Sequence, residues 1–260
     1  MNTVTAPLFT PASNWTGRND GPGPEHARWH SVIDTAAQPT EGAVHLIGYA
    51  SDEGVERNGG RQGAAKGPEA LRAALGSLAV HESTSLLDAG TVTTQDTDLE
   101  GSQRELSDRV RDLVAAQGTD GMTVVLGGGH ETSFATHRGA YEAVGPMQVI
   151  NFDAHFDLRT ETRPTSGTPF KQIAGLVGED FDYSVFGISK PNNTKVLFDT
   201  ADELADMVED VYLPQLPPDQ FPYLHESAAT LAATGYDPAE EFTFGLDLLL
   251  TALEPLRTSA

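Results

Sequence analysis

Short apolar runs, each long enough for one buried β-strand, alternate along this chain with segments of helical spacing. The predicted strands are Val44–Tyr49, Leu86–Val92, Met122–Leu126, Met147–Phe152, Tyr183–Ile188, Val208–Leu213 and Phe242–Leu250. The predicted helices are Pro68–Leu78, a segment that starts at a Ser102/Glu105 capping box and stops at Gly118, Asn193–Ala205 and Asp219–Ala233. Such alternation predicts an α/β fold, with a mostly parallel sheet covered by helices on both faces.

The first forty residues differ from the rest in being rich in glycine, proline and polar groups. They predict an irregular arm, residues 1–40, lying over a single domain formed by residues 41–260. No internal repeat or low-complexity tract interrupts that domain.

The charge of the chain narrows the classes of partner. Its 260 residues carry a net charge of −22 and no cysteine, which excludes disulfides and disfavours binding to nucleic acid or to an anionic membrane. No apolar run approaches the roughly 20 residues that span a bilayer, and the N-terminus lacks the pattern of a signal peptide. We therefore expect a soluble, cytoplasmic protein. The even spread of acidic residues further predicts adaptation to a salt-rich cytoplasm, with instability at low salt.

Potential metal ligands follow two of the most apolar strands. Gly127-Gly128-Gly129-His130-Glu131 comes after Met122–Leu126, and Asp153, His155 and Asp157 occupy alternate positions after the next predicted strand. In an extended chain alternate side chains point the same way, and ligand sites lie beyond the carboxyl ends of parallel strands. Alone, the glycine run before a histidine is more often a tight turn, and the second motif is compatible with a hydrogen-bonded strand end. Together they predict a site for a borderline divalent ion such as manganese, zinc or cobalt.

The same motifs carry a family resemblance. The runs GGGHE and NFDAHFDLR resemble the ureohydrolase (arginase) family, and further segments are similar to its formimidoylglutamase branch. Those segments are Trp15–Arg18, Arg28–His30, Asp52–Val55, Asn58–Arg61, Gly67–Arg72, Thr165–Phe170, Gly187–Ser189 and Asn192–Thr194. The resemblance runs from about Trp15 to about Pro255 and implies a three-layer α/β/α arginase-like fold.

The resemblance also implies a site for two Mn²⁺ ions per subunit. By analogy with the family, His130 and Asp157 bind the first ion, Asp153 bridges both ions and His155 binds the second. The catalytic residues are then Asp157, which can shuttle a proton, and His155. A later Asp-x-Asp pair supplies the remaining ligands in the family.

This chain departs from the family pattern at that later strand. In the preferred register Asp247 is the second aspartate and Gly245 replaces the first, so five of six ligands remain. In the other register Asp247 is the first aspartate and Leu249 replaces the second. The chain also stops at Ala260, where the family continues, so we expect a C-terminally truncated domain without its final strand.

The implied reaction is hydrolysis of N-formimidoyl-L-glutamate to L-glutamate and formamide, a step of histidine degradation. Its substrate carries two carboxylates, and the candidate cations that bind them are Arg159, Lys171, Arg61 and Arg57. One alternative is a ureohydrolase of agmatine or arginine. Another is a catalytically impaired remnant that binds metal weakly. An intact chain is expected to form a homo-oligomer, a trimer or a multiple of one.

Overall fold

The computed structural model describes residues 8–81 and 85–205. The predicted strands at 208–213 and 242–250, the helix at 219–233, and the positions Gly245 and Asp247 lie outside the described residues. The described chain forms two compact units, one of residues 8–149 and 156–183 and one of residues 150–155 and 184–205. The prediction of a single domain with an arm over residues 1–40 stays a prediction.

The secondary structure follows the predicted alternation. The strands, numbered β1 to β6 in chain order, are Phe9–Thr10, Val44–Ala50, Leu86–Thr93, Met122–Leu126, Gln148–Phe152 and Asp182–Phe186. The α-helices, numbered α1 to α7, are Trp29–Val32, Glu53–Arg57, Gly67–Leu75, Leu99–Gln117, Thr132–Val144, Pro169–Val177 and Lys195–Ala205. Short 3-10 helices lie at Pro24–His26, Ala64–Lys66, Gly178–Asp180 and Lys190–Asn192.

The first unit is built on a four-stranded sheet in the order β1-β3-β2-β4. β2 runs parallel to both β3 and β4, with Val44 opposite Leu86 on one side and Met122 on the other. β1 alone is antiparallel, pairing Phe9 with Val92. Because β2 is central and covered on both faces, its interior residues are all buried, as expected for a strand of a parallel sheet.

Alternate residues of β2 supply cores on opposite faces of the sheet. Ile47 and Tyr49 belong to a core that α4 and α5 complete with their apolar stripes. Leu46 lies in the other core, with Trp15 from the arm and Leu126 from β4. The first unit therefore has helices on both faces of a mostly parallel sheet, and the predicted α/β class is confirmed for it.

The start of α4 differs from the predicted capping box. The helix begins at Leu99, three residues before Ser102, and the Asp98 carboxylate caps it by accepting the Gly101 N–H at 3.0 Å. Ser102 is buried inside the helix, where its hydroxyl lies 2.9 Å from the Tyr49 hydroxyl. The capping-box prediction was wrong because both Asp98 and Ser102 are good caps, and packing of Ser102 against β2 decided between them.

The described part of the arm is tied to the sheet. Besides the short pairing of β1, the indole N–H of Trp15 donates to Asp88 on β3 at 2.7 Å, and Trp15 stacks on Trp29 of α1. The arm therefore contributes a buried side chain to the first unit. Within the described residues no helix combines the length and apolar character that crossing a membrane requires.

The second unit contains the carboxyl ends of β5 and β6, strands that pair in a separate two-stranded sheet. After β5 the Asp153 N–H donates to the Phe186 carbonyl of β6 at 2.9 Å. The Asn193 side chain then donates to the Ala154 carbonyl at 2.7 Å, just before α7. These bonds fix the backbone that carries Asp153 and His155.

Candidate metal centre

The turn after β4 brings the first candidate ligand to the edge of the sheet. His130 lies between the glycine run and α5, and the Gly129 N–H donates to the Ser51 carbonyl at 2.8 Å, which holds the turn against the end of β2. A Cβ on Gly128 would collide with that same carbonyl oxygen. The glycine run is therefore needed for two backbones to approach closely at the strand ends.

His130 meets Asp157 in the first unit. The Nδ1 atom of His130 lies 2.6 Å from Oδ2 of Asp157, and the two side chains are 30% and 13% exposed. Asp157 adopts φ 49°, a left-handed conformation that aspartate tolerates better than most residues. An imidazole nitrogen beside a carboxylate oxygen, both partly open to solvent, is a donor pair that suits a borderline divalent cation.

Aromatic rings form one wall beside this pair. The ring of Phe170, at the start of α6, makes an edge contact with His130 at a centroid distance of 5.4 Å. Phe170 is almost fully buried and stacks on Tyr183 at 4.3 Å. The wall fixes the plane of the imidazole and excludes water from one side of it.

The other two predicted ligands contact each other in the second unit. Oδ1 of Asp153 accepts the backbone N–H of His155 at 2.9 Å and lies 3.2 Å from its Nδ1. The chain bends at Ala154 and His155 and does not continue as an extended strand. The expectation of an extended chain after β5 was therefore wrong, because an aspartate-capped turn replaces the extended conformation. The assignment of Asp153 and His155 as metal ligands stays a prediction.

Glu131 was not assigned a role from the sequence, although it adjoins His130. It is fully buried, and Oε1 of its carboxyl accepts the Gly54 N–H at 3.0 Å and the Ser51 hydroxyl at 3.2 Å. Burial raises the pKa of the Glu131 carboxyl above its usual range. The burial of Glu131 was not predicted, because a glutamate at a helix start is usually exposed.

The predicted substrate-binding cations separate into two groups. Arg159 and Lys171 line one cavity of about 160 Å³ in the first unit. Arg163, which the sequence did not single out, lines it as well, and Glu161 is the acidic residue of the lining. In a chain with a net charge of −22, a lining of three cations and one carboxylate is locally positive, although Arg163 also lies 3.6 Å from Glu100.

Arg57 and Arg61 lie elsewhere. The Arg57 guanidinium is held by Glu53 at 2.8 Å and Glu100 at 2.9 Å, and it also donates to two backbone carbonyls. The hydrogen bond from Arg57 lowers the pKa of the Glu100 carboxyl. Arg61 is exposed in the loop after α2 and is not part of the cavity lining. A role for either one in substrate binding stays a prediction.

Sequence comparison assigns the family on residues 42–212, which match the arginase family and include the His130–Asp157 pair. The chain belongs to the arginase family. This arginase-family chain is 49% identical over 197 residues to a protein named formimidoylglutamase from Corynebacterium efficiens, a match covering 75% of this chain and 62% of the relative. A Rhodococcus opacus protein of the same name is 47% identical over 204 residues, again with 62% of the relative covered.

A solved structure supports the fold of this arginase-family chain. The crystal structure of Trypanosoma cruzi formiminoglutamase with Mn²⁺ matches with a TM-score of 0.54 and 32% identity, over 63% of this chain and 57% of that one. The predicted arginase-like fold is confirmed. The chain spans less than two thirds of the length of these relatives.

Proposed function

We propose that this chain hydrolyses N-formimidoyl-L-glutamate to L-glutamate and formamide in the degradation of histidine, in the cytoplasm. The observation that carries the proposal is the 2.6 Å contact of His130 with Asp157, because it joins side chains from two separate motifs of the family. Relatives that are 49% and 47% identical bear the name of this activity.

We propose Mn²⁺ as the cofactor, two ions per subunit, held by His130, Asp153, His155, Asp157 and Asp247. The donor set supports this, since imidazole and carboxylate without thiolate suit manganese. When bound, a pair of such ions supplies Lewis acidity and lowers the pKa of a water molecule. The matched Trypanosoma cruzi structure contains Mn²⁺.

The side chains of the pair have distinct tasks in the reaction. Asp157 accepts a proton from the attacking water, whose oxygen becomes the carbonyl oxygen of formamide. As the C–N bond to glutamate breaks, Asp157 returns this proton to the departing amine. The protonated formimino group already carries both hydrogens of the formamide nitrogen, and the hydrogen left on the attacking oxygen passes through solvent to the same amine. The products are formamide and glutamate with its amine protonated. The Phe170 ring, packed against His130, keeps the imidazole in place and limits access of bulk water.

The cationic cavity supports the substrate class of this proposal. Arg159 and Lys171, with Arg163, offer charge-assisted hydrogen bonds to a carboxylate, and a guanidinium can bind one in a bidentate manner. A cationic guanidino compound such as agmatine would be repelled at this place. The cavity therefore favours a dicarboxylate substrate over agmatine or arginine.

Two further properties belong to the same proposal. The chain works in a salt-rich cytoplasm, where screening reduces the repulsion among its acidic residues. It assembles as a homo-oligomer, a trimer or a multiple of one. Neither property is needed for the assignment of the reaction.

The decisive experiment follows product release by the purified chain in high potassium chloride, with and without added Mn²⁺. The product measured is formamide for formimidoylglutamate and urea for agmatine and arginine. Formimidoylglutamate, agmatine and arginine are compared as substrates. We expect Mn²⁺-dependent turnover of formimidoylglutamate alone, lost in His155→Ala and retained in His81→Ala, which changes an exposed histidine away from the site.

Other results would refute the proposal in different ways. Turnover of agmatine or arginine in place of formimidoylglutamate would move the chain to another ureohydrolase activity. Folded protein without turnover of any substrate would identify a remnant, and its Mn²⁺ content after dialysis would show whether it still binds metal.

A further inference from the structure

The short helix α2 lies between the turn that carries His130 and the loop that leads to α6. On the side of the turn, Glu131 accepts hydrogen bonds from the Gly54 N–H and the Ser51 hydroxyl. The Gly129 N–H returns a bond to the Ser51 carbonyl at 2.8 Å. Three hydrogen bonds therefore join the turn of His130 to residues 51–54, the segment that leads into α2 and includes its first turn.

On its other side α2 is fastened to residues 158–168, which we name the substrate loop because it begins beside Arg159 and includes Arg163. The Ser166 N–H donates to the Gly54 carbonyl at 2.9 Å. Arg57, at the end of α2, donates to the Pro164 carbonyl at 3.0 Å. Gly54 thus bonds to Glu131, in the turn of His130, through its N–H and to the substrate loop through its carbonyl.

The Glu131 carboxyl packs directly against the backbone of Gly54. A Cβ on Gly54 would lie 2.6 Å from the Glu131 carboxyl carbon, so only glycine allows the carboxyl to come this near. The Gln103 side chain donates to the Glu131 carbonyl at 3.0 Å and anchors the residue to α4. Oε2 of Glu131 is buried and has no hydrogen-bond partner among residues 8–81 and 85–205.

A buried carboxyl with one unsatisfied oxygen costs stability, and an apolar residue would fill the space at lower cost. What the carboxyl adds is the acceptor that orients the Gly54 peptide. We propose that α2 is a bracket that fixes the substrate loop relative to the turn of His130, and that Glu131 is the positioning residue of this bracket. The effect on substrate binding rests on the proposed function, whereas the bracket itself does not.

The test compares Glu131→Ala with Glu131→Gln, whose side-chain oxygen can still accept from Gly54 and Ser51. The matched control is Ser107→Ala, which removes another buried hydrogen bond, from the Ser107 hydroxyl to the Ala135 carbonyl. Amide hydrogen exchange of the full chain in high potassium chloride is read for residues 52–58 and 164–168, with α3 as the internal reference.

We expect Glu131→Ala to speed exchange in both segments by about tenfold, with α3 unchanged. Glu131→Gln should restore most of the protection, and Ser107→Ala should leave both segments as in the parent chain. Uniformly faster exchange over the whole chain, or the same pattern in Ser107→Ala, would overturn the bracket and leave Glu131 a merely structural residue. Should Glu131→Ala fail to fold, Ser51→Ala removes one of the two donors to the same oxygen and is read in the same way.

The kinetic arm reports on the substrate loop. At saturating Mn²⁺ we expect Glu131→Ala to raise KM for formimidoylglutamate by about tenfold with kcat changed by less than about threefold, and Glu131→Gln to reverse the change. An equal fall of kcat in Glu131→Ala and Ser107→Ala would overturn the positioning role. If the parent chain turns over no substrate, the proposed function fails, and the exchange measurement still decides on the bracket.

Discussion

Arg72 of α3 and Asp88 of β3 form a bidentate ion pair, with Nε to Oδ2 at 2.7 Å and Nη2 to Oδ1 at 2.9 Å. The Asp88 carboxylate is almost wholly buried and also accepts the indole N–H of Trp15. One carboxylate therefore holds α3, a central strand and the N-terminal arm in a single arrangement.

Replacing Arg72 by methionine keeps the volume of the side chain and leaves Asp88 charged and buried. Removing one partner of a buried ion pair typically costs about 3–5 kcal/mol, so we expect Arg72→Met to lower the free energy of unfolding by roughly 3 kcal/mol. Urea unfolding in high potassium chloride measures it. Arg111→Met is the control, because Arg111 pairs with exposed carboxylates and its loss should change little. Equal losses in the two variants would contradict the structural role of the Arg72–Asp88 pair.

Asp157→Ala should weaken binding of Mn²⁺ by about 100-fold, since loss of even an outer partner of a metal ligand typically costs roughly 10- to 100-fold. The readout is Mn²⁺ retained after dialysis, measured by elemental analysis and independent of turnover. Asp180→Ala removes an exposed carboxylate that bonds only the Tyr141 hydroxyl among the contacts described, and it serves as the control. Unchanged retention in Asp157→Ala would refute the assignment of Asp157 as a ligand.

Arg159→Met and Arg163→Met should each raise KM for formimidoylglutamate by about tenfold or more, because a hydrogen bond to a charged group is worth about 1.5–3 kcal/mol. Initial rates at fixed potassium chloride and saturating Mn²⁺ provide the measurement. Arg138→Met changes a cation of α5 that is paired with Glu142 and provides the control. If KM is unchanged in Arg163→Met, as in Arg138→Met, and raised only in Arg159→Met, Arg163 does not bind the substrate.

Acid should destabilise the chain partly through His137. Burial lowers the pKa of His137 below its usual value of 6.5, so the folded chain keeps this imidazole neutral. Below pH 6.5 the unfolded chain takes up a proton that the folded chain does not, until the pH reaches the lower pKa of His137 in the folded chain. Over that interval the free energy of unfolding decreases. His137→Phe keeps a ring to stack on Tyr141 and has no imidazole to protonate, so its free energy of unfolding should fall less than that of the parent as the pH is lowered below 6.5. Parallel pH profiles of unfolding for the two proteins would disprove this contribution.

Salt should stabilise the folded chain. At a net charge of −22 the acidic residues repel one another over a Debye length of about 30 Å at 0.01 M salt, which shrinks to about 3 Å at 1 M. We expect the thermal midpoint to rise steeply with potassium chloride. A variant with Glu25, Glu69 and Glu179 changed to glutamine, all exposed, should need less salt to reach the same midpoint. A midpoint independent of salt would refute the adaptation.

The sequence predicted those strands and helices whose apolar pattern fits only one type of secondary structure. β4 and β2 agree with their predicted runs to within a residue, because each is apolar along most of its length and bounded by turn residues. α5 and α6 were not predicted. Their apolar residues are few or lie close to functional motifs, although Pro169 at the start of α6 with Phe170, Ile173 and Val177 on one face was a usable signal.

The site was predicted in part for a similar reason. Motif spacing placed His130 and Asp157 at strand ends, and the structure brings these two together. The bend at Ala154 and the burial of Glu131 depend on partners distant in the chain, namely Asn193 for the bend and Gly54 with Ser51 for the glutamate. Such long-range contacts produce no regular spacing of residue types along the sequence, so a sequence pattern does not predict them.

The backbone of Gly128 passes against the Ser51 carbonyl so closely that no side chain could stand there, and this crowding exists whether or not a metal is held nearby. A descendant of this chain that had lost catalysis would still keep the glycine in order to fold. The presence of the glycine run therefore indicates the fold and does not indicate catalytic activity. Surveys that separate catalytically active homologues from inactive ones should therefore rely on the joint presence of His130 and Asp157.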